Sequence, residues 1–582
     1  MKHMKRIVAL LLATVMVMAM SMSAFAADGD GTTPKAGAQT ADNPVSVTGL
    51  DDGDVAHFYK VIEWQAADET HKGGWVFTEA FKSLTEADMK AITGDPAADP
   101  KVEPALTAEL AGKIARLAKG EGTAVTAADG KAELAITGDK GAGSGLFLVL
   151  VTPKDADTVY NPIFVGADYV SGNTSNTWAV VEKESSYSDK AAAKKSKLKL
   201  DKTAKTEEEL WDDNKSGTTA IGDTVSFTVK TTIPGYGEVY EKPHFVMTDS
   251  LNALKLVKGT VKVDKGTKDT DYTIEEKDDG YTITFKESYL KTCVTPTDIV
   301  VTYDAIVTTD AKESVNLEKN EVQIQYSHDP KDESDYNIKK DTTQHYTFSL
   351  DADVVGFNSS QTGKKTSEIV KVGVKADGTP ITETTETSEI SPAQKWQGPL
   401  EGAVFGLYTD KDCKNAYVPK KADGTQGSAL TNITTLADGR MHIEGLDAGT
   451  YYLKEISAPE GFIKDDQAHE IKIDAKLSEK TITETIDGKE VTYKTETLDS
   501  YTVTVDGKNT STHKFTNDGK TTDVTWTESE AVEVPSPIKN TVGTELPSTG
   551  GIGTTLFYMV GSVLVIGAVV LLVSKRRMNS GI

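Results

Sequence analysis

Two cysteines in 582 residues are too few for a disulfide scaffold or a cysteine-rich zinc module. The nine histidines are scattered, with neither HExxH nor any comparable ligand spacing, so no metal site and no cofactor are expected. Basic residues are in deficit, with 63 Lys and Arg against 88 Asp and Glu and a formal net charge of −25. A nucleic-acid binder needs the opposite balance to neutralise phosphates. Aromatic residues make up only 7% of the chain. Glycine is plentiful, but no G-X-Y period accompanies it, which excludes a collagenous chain. What is there is long enough for three or four domains and rich in Thr-containing alternating stretches.

Both ends carry processing signals. Lys2, Lys5 and Arg6 precede the apolar run 7–20, and Ala24-Phe25-Ala26 has the A-x-A form, so residues 1–26 read as a signal peptide. At the other end Leu546-Pro547-Ser548-Thr549-Gly550 stands before an apolar stretch at 556–573 and a basic tail at 574–582. The stretch is long enough to cross a bilayer, and the tail should remain cytoplasmic. The order of pentapeptide, span and basic tail resembles the cell-wall sorting signal of Gram-positive surface proteins. The resemblance implies that a sortase cleaves between Thr549 and Gly550, leaving Thr549 as acyl donor to an amine on the wall or on another subunit. The rival readings are an uncleaved N-terminal anchor and a simple single-pass membrane protein. Removing residues 1–26 and 551–582 discards six basic and no acidic residues, so the exported part carries about −31, a charge that favours solubility.

Residues 27–43, rich in Gly, Thr, Ala and Asp, read as a disordered lead. A first domain spans 44–185, with opening strands at 45–47 and 56–62, a helical piece at 85–117 broken at Gly94-Asp95-Pro96, and a buried strand at 145–151. Residues 186–196 form a lysine-rich junction, which is either a solvated linker or the source of a nucleophilic amine. In the middle domain, 197–343, and the last domain, 344–541, Thr, Val, Tyr and Ile recur at period two between short polar turns, the pattern of antiparallel sandwiches. The stretch 476–530 reads as an inserted set of hairpins. The fold class is mainly β, with immunoglobulin-like sandwiches in tandem.

Residues two apart in a strand share a face. Leu198, Leu200 and Lys202 therefore point one way, as do Phe245, Met247 and Asp249, and Asn320, Val322, Ile324 and Tyr326. If the apolar members face the core, Lys202, Asp249 and Asn320 do so too. An unpaired buried charge is costly, and burial pushes a lysine and a carboxyl toward their neutral forms together. A neutral amine beside a carboxamide and a protonated acid can condense to a Lys–Asn isopeptide bond with loss of ammonia. The plain alternative is three ordinary strand positions with one salt bridge. In the last domain Leu453 and Glu455 share a face, as do Ile538, Asn540 and Val542. Lys371 lies with Ile369, and Lys375 falls on the same face.

The segment YYLKEISAPEGF at 451–462 is similar to the E-box of sortase-assembled backbone pilins. LEGAVFGL at 400–407 looks like the LxGAxFxL strand of their Cna-B-type domains. The Gly449-Thr450 lead-in and the Asn540 shortly before LPSTG fit as well. The resemblance implies Cna-B-like sandwiches with two isopeptide bonds, Lys202–Asn320 aided by Asp249 and Lys371–Asn540 aided by Glu455. The family's pilin motif ends in Tyr-Pro-Lys. Here Tyr187-Ser188-Asp189-Lys190 has no proline, and Lys190 is the expected linking amine, with Lys194 and Lys195 close behind. Lys60 sits where some relatives place another bond-forming lysine, although an exposed strand lysine is the plainer reading. Cys293 and Cys413 either pair between domains or remain free thiols. The Asp410-Lys411-Asp412 loop either holds a hard cation or is simply solvated.

These features imply a structural backbone subunit of a covalent surface pilus supporting adhesion, exported and anchored at the cell wall. Its expected partners are a pilus-specific sortase, identical subunits, tip and base pilins, and peptidoglycan. No enzyme activity is expected beyond self-formation of the internal bonds. The rival is a wall-anchored monomeric adhesin binding a host protein or glycan; a secreted enzyme lacks any clustered catalytic constellation.

Overall fold

The computed structural model describes residues 44–543, apart from 66–73, 96–97, 101, 103, 137–144, 168–189, 207–214, 311–317, 352–367, 382–383, 388–393, 517, 521–524 and 531–535, together with 552–579. The expected signal peptide, the lead at 27–43 and the pentapeptide residues Leu546, Pro547, Thr549 and Gly550 lie outside the described residues.

In the first domain Gly145–Thr152 is sandwiched between two cores. Leu146, Leu148 and Leu150 pack with Ile92, Leu110 and Ile114, whereas Phe147 and Val149 pack with Val45, Val47 and Phe58. A strand covered on both faces reads as an uninterrupted apolar run, as this one does. The strand pairs with Val55–Gln65 and Ile163–Ala167. The expected helical piece is two helices. Glu86–Thr93 opens on a capping box between Thr85 and Asp88 and stops at Gly94, whose φ of 75° few residues with a Cβ adopt. Ala108–Leu117 opens on the Thr107 side chain.

From Lys190 onward the lysine-rich junction is folded. Lys190–Ala192 pairs in parallel with Val45–Thr48, and Lys195–Lys197 pairs with Thr158–Tyr160. Lys197, placed with the middle domain in the sequence, is thus hydrogen-bonded to the first.

The middle domain is a sandwich of two sheets. One is ordered Leu200–Lys205, Thr224–Ile233, Thr297–Val307, Leu254–Leu256, with Lys262–Val263 also on the long strand. The other is ordered Ser216–Thr218, Tyr336–Tyr346, Glu318–Ser327, Phe245–Ser250, Gly280–Phe285, Tyr272–Lys277. Alternation drives the packing: Ile299, Val301, Tyr303, Ala305 and Val307 all enter one core with Phe227, Met247 and Ile324.

The last domain faces a seven-stranded sheet, which includes Val404–Tyr408, Gly449–Ser457, Ala468–Ile486 and Lys489–Val505, against a smaller sheet. In the smaller sheet the first strand, Ile369–Val374, and the last, Ser536–Val542, run parallel side by side. The expected hairpins are present, and one of them leaves the domain. Beyond a register shift at Lys476/Leu477, Ala468–Ile486 and Lys489–Val505 continue along the middle domain, where Ile482, Val491 and Tyr493 form a small core with Ile338. Lys340 lies 4.8 Å from the Tyr493 ring centre and 2.9 Å from Glu484.

The C-terminal helix Ile552–Asn579 contains one stretch, Phe557–Arg577, that is apolar and long enough to cross a membrane, with mean hydropathy 2.4 and no burial against the rest of the chain.

Candidate functional site: lysines sealed beside asparagines

Lys202 stands on one sheet of the middle sandwich, and Asp249 and Asn320 stand on the other, all three at most 2% exposed. Asp249 is register partner of Val322, so Asn320 is its diagonal neighbour on the same face. Lys202 Nζ donates to Asp249 Oδ2 at 2.6 Å and to Asn320 Oδ1 at 2.7 Å. Burial lowers the Lys202 ammonium despite the opposing Asp249 charge, and burial raises the Asp249 carboxyl despite Lys202. The two shifts run in the direction of a neutral amine beside a protonated acid, the pair needed for nucleophilic attack on an amide. Outside the core face, the Lys202 backbone N–H donates to Asp341, whose charge is met by Lys215 Nζ at 2.6 Å.

The last domain contains a second such site. Lys371 and Asn540 come from the parallel first and last strands, with Ile538 as the register partner of Lys371, and Glu455 reaches across from the large sheet. Lys371 Nζ lies 2.5 Å from Asn540 Oδ1 and 3.2 Å from Glu455 Oε2, and Asn540 Nδ2 donates to Glu455 Oε1 at 2.7 Å. All three are buried, and burial lowers the Lys371 ammonium despite Glu455. Lys375 lies past the strand end and is exposed.

Glu455 Oε2 also accepts the Asp465 backbone N–H at 2.7 Å. Asp465 in turn is bound by His469, which bridges to Asp506 through its other ring nitrogen at 2.7 Å. Burial opposes a charge on His469, yet the hydrogen bonds to Asp465 and Asp506 raise its pKa above the ordinary 6.5. A raised folded-state pKa stabilises below the unfolded value and stops doing so as pH climbs through the folded value. The melting temperature of His469→Gln is therefore expected to fall below that of the parent at about pH 6 and to converge on it at about pH 9. Parallel melting curves across that range would remove His469 from the charge balance.

Lys190 is exposed at the edge of its three-stranded sheet. Lys194 is exposed as well, with its pKa lowered by local desolvation. Lys195 pairs with Asp51 at 2.6 Å. Lys60 is half-buried over the Phe147 ring, 5.6 Å from its centre, and burial lowers its pKa. Cys293 and Cys413 are free thiols. Asp410 accepts the backbone N–H groups of Lys414 and Asn415, which closes its loop on itself.

Sequence reasoning missed Tyr303, whose hydroxyl touches both Asp249 and Asn320. It lies on the core face with Val301 and Ala305, so alternation could have flagged a buried hydroxyl in need of a partner. Asp465 and His469 gave no such signal, because Asp465 meets Glu455 only through its backbone N–H and His469 acts only through Asp465.

Residues 386–490 match the SpaA prealbumin-like fold domain, and residues 538–580 match the LPXTG cell wall anchor motif. The chain is 25% identical over 474 residues to the trypsin-resistant surface T6 protein of Streptococcus pyogenes, a match covering 75% of this chain and 79% of that protein. The solved structure of the T6 backbone pilin of serotype M6 Streptococcus pyogenes aligns over 86% of this chain and 98% of its own, with TM-score 0.50 and 17% identity, and it shares the fold. The major pilin SpaA of Corynebacterium diphtheriae aligns over 86% of this chain and all of its own, with TM-score 0.36 and 14% identity.

Proposed function

We infer that this chain is the backbone subunit of a covalently polymerised cell-surface pilus, anchored at the cell wall through its C-terminal LPXTG signal. The observation that carries the reading is the match to the T6 protein over three-quarters of the chain, beside the separate match of residues 538–580 to the anchor motif. In the filament a sortase opens the Thr549–Gly550 bond and passes the Thr549 acyl group to Lys190 of the next subunit. The contact is heterologous and does not close on itself, so it propagates as a fibre. The middle and last domains seal themselves with Lys202–Asn320 and Lys371–Asn540 isopeptide bonds, promoted by Asp249 and Glu455. Short Nζ to carboxamide distances in buried cores support this reading, since proximity can replace a separate enzyme.

Tryptic mapping of the purified chain tests the bonds: each should appear as a branched peptide lighter than its two parts by one ammonia. Glu455→Gln is expected to slow the Lys371–Asn540 bond by about a hundredfold or more, the usual weight of a general acid–base group. Separate Lys371 and Asn540 peptides should then be recovered from folded protein. A parental yield of the branched peptide from that variant would dismiss Glu455 as the promoting acid.

A further inference from the structure

The two sites differ in one connection. In the last domain the acid touches the departing nitrogen itself, Asn540 Nδ2 to Glu455 Oε1 at 2.7 Å. In the middle domain the acid is one methylene shorter, and Asn320 Nδ2 donates instead to the Tyr303 hydroxyl at 2.8 Å. That hydroxyl donates to Asp249 Oδ1 at 3.0 Å. With Lys202 bound to Asp249 Oδ2 and to Asn320 Oδ1, four side chains close a ring of hydrogen bonds around the reacting carbon. Tyr303 is held there by stacking on Phe227, with centroids 4.8 Å apart and planes at 13°, and by the edge of Tyr281 at 5.0 Å.

We propose that Tyr303 is a catalytic residue of the middle domain, delivering the proton on which ammonia leaves Asn320. The proposal rests on the isopeptide reading above. The step begins with a neutral Lys202 amine and with Asp249 protonated on Oδ1, a state in which Oδ1 donates to the Tyr303 oxygen and the hydroxyl proton turns toward Nδ2. The amine lone pair attacks Asn320 Cγ, forming the Nζ–Cγ bond and moving the carbonyl π pair onto Oδ1. Nζ gives one proton to Asp249 Oδ2. Asp249 Oδ1 passes its proton to the Tyr303 oxygen while the Tyr303 proton moves to Nδ2. The Cγ–Nδ2 bond then breaks with its electron pair on nitrogen, the carbonyl re-forms, and ammonia departs. Asp249 ends with its proton on the other oxygen, and the phenol is unchanged (no other reactant is consumed). Burial holds the phenol protonated by raising its pKa well above the ordinary value, so the relayed proton is present at any working pH.

The test follows bond formation in the full-length chain, translated in a cell-free system with detergent and sampled into acid denaturant. The Lys371–Asn540 bond serves as an internal clock. Tyr303→Phe, which keeps the ring, is expected to slow the Lys202–Asn320 bond by about a hundredfold or more while the clock runs unchanged. Adding Asp249→Glu to Tyr303→Phe supplies the longer acid of the last domain and is expected to recover at least tenfold of the lost rate. Tyr303→Phe reacting at the parental rate would overturn the proposal. So would a slowed variant that Asp249→Glu does not accelerate, because the loss would then come from packing. A parent chain with no bond at Lys202 would instead refute the isopeptide reading itself.

Discussion

A chain carrying Lys202→Met and Lys371→Met is expected to fold and yet to lengthen under load by an amount the parent never shows. Methionine nearly conserves the lysine volume, so the cores should stay filled. Asn320 keeps its bond to Tyr303, and Asn540 keeps its bond to Glu455. What the proposed bonds would supply, and the variant would lack, is a covalent bypass. The proposed Lys202–Asn320 link would span 118 residues and the proposed Lys371–Asn540 link 169. At about 3.5 Å per extended residue, unfolding the unlinked domains should release on the order of 400 Å and 600 Å of chain. In the parent those two steps should be missing from single-molecule pulling traces, because tension would run through the proposed amides. The chain-entropy estimate for crosslinks of this length is about 5 kcal/mol each. For domains of this size that corresponds to a fall in melting temperature on the order of 10–20 °C. Identical extension traces and melting temperatures in parent and variant would mean that no such bonds bear load.

The second large effect concerns assembly. Lys190→Ala is expected to collapse an SDS-resistant ladder of wall-extracted polymers to the single subunit, whereas Lys195→Ala should leave it. The Lys195 ammonium is engaged by Asp51 and lies near the Tyr160 ring, and Lys190 stands on an exposed edge strand. Linkage there also sets the path of force. Lys190 precedes Lys202 by a dozen residues, and Thr549 follows Asn540 by nine, so in the proposed filament tension would enter and leave close to the two proposed internal links. The described part of the first domain up to Ala167 then hangs beside that path. A ladder lost only with Lys194→Ala would move the linkage to that lysine, and a single band from the parent would defeat polymerisation.

Within the sandwiches, period two was enough to aim Lys202, Asp249, Asn320, Glu455 and Asn540 inward, because each shares a face with apolar neighbours. Parity could not separate Lys371 from Lys375. The choice was made by the end of the strand at Val374, after which the chain turns into solvent. Nor could parity reveal Tyr303 as the link between Asp249 and Asn320, since alternation names a face and is silent about the opposing sheet. The hairpin at 476–505 was legible as strands, but its docking on Ile338 depends on a small apolar core shared between two domains.

The amino-acid order alone determined the sorting segment with its anchor, which linear readers act upon, and the side of each strand that turns inward. Which residue meets which was decided only by the tertiary structure. The contacts at the two lysines join positions 47, 118, 84 and 169 apart in the chain. At such separations the spacing between packed sheets and the reach of each side chain, rather than any local pattern, select the partners.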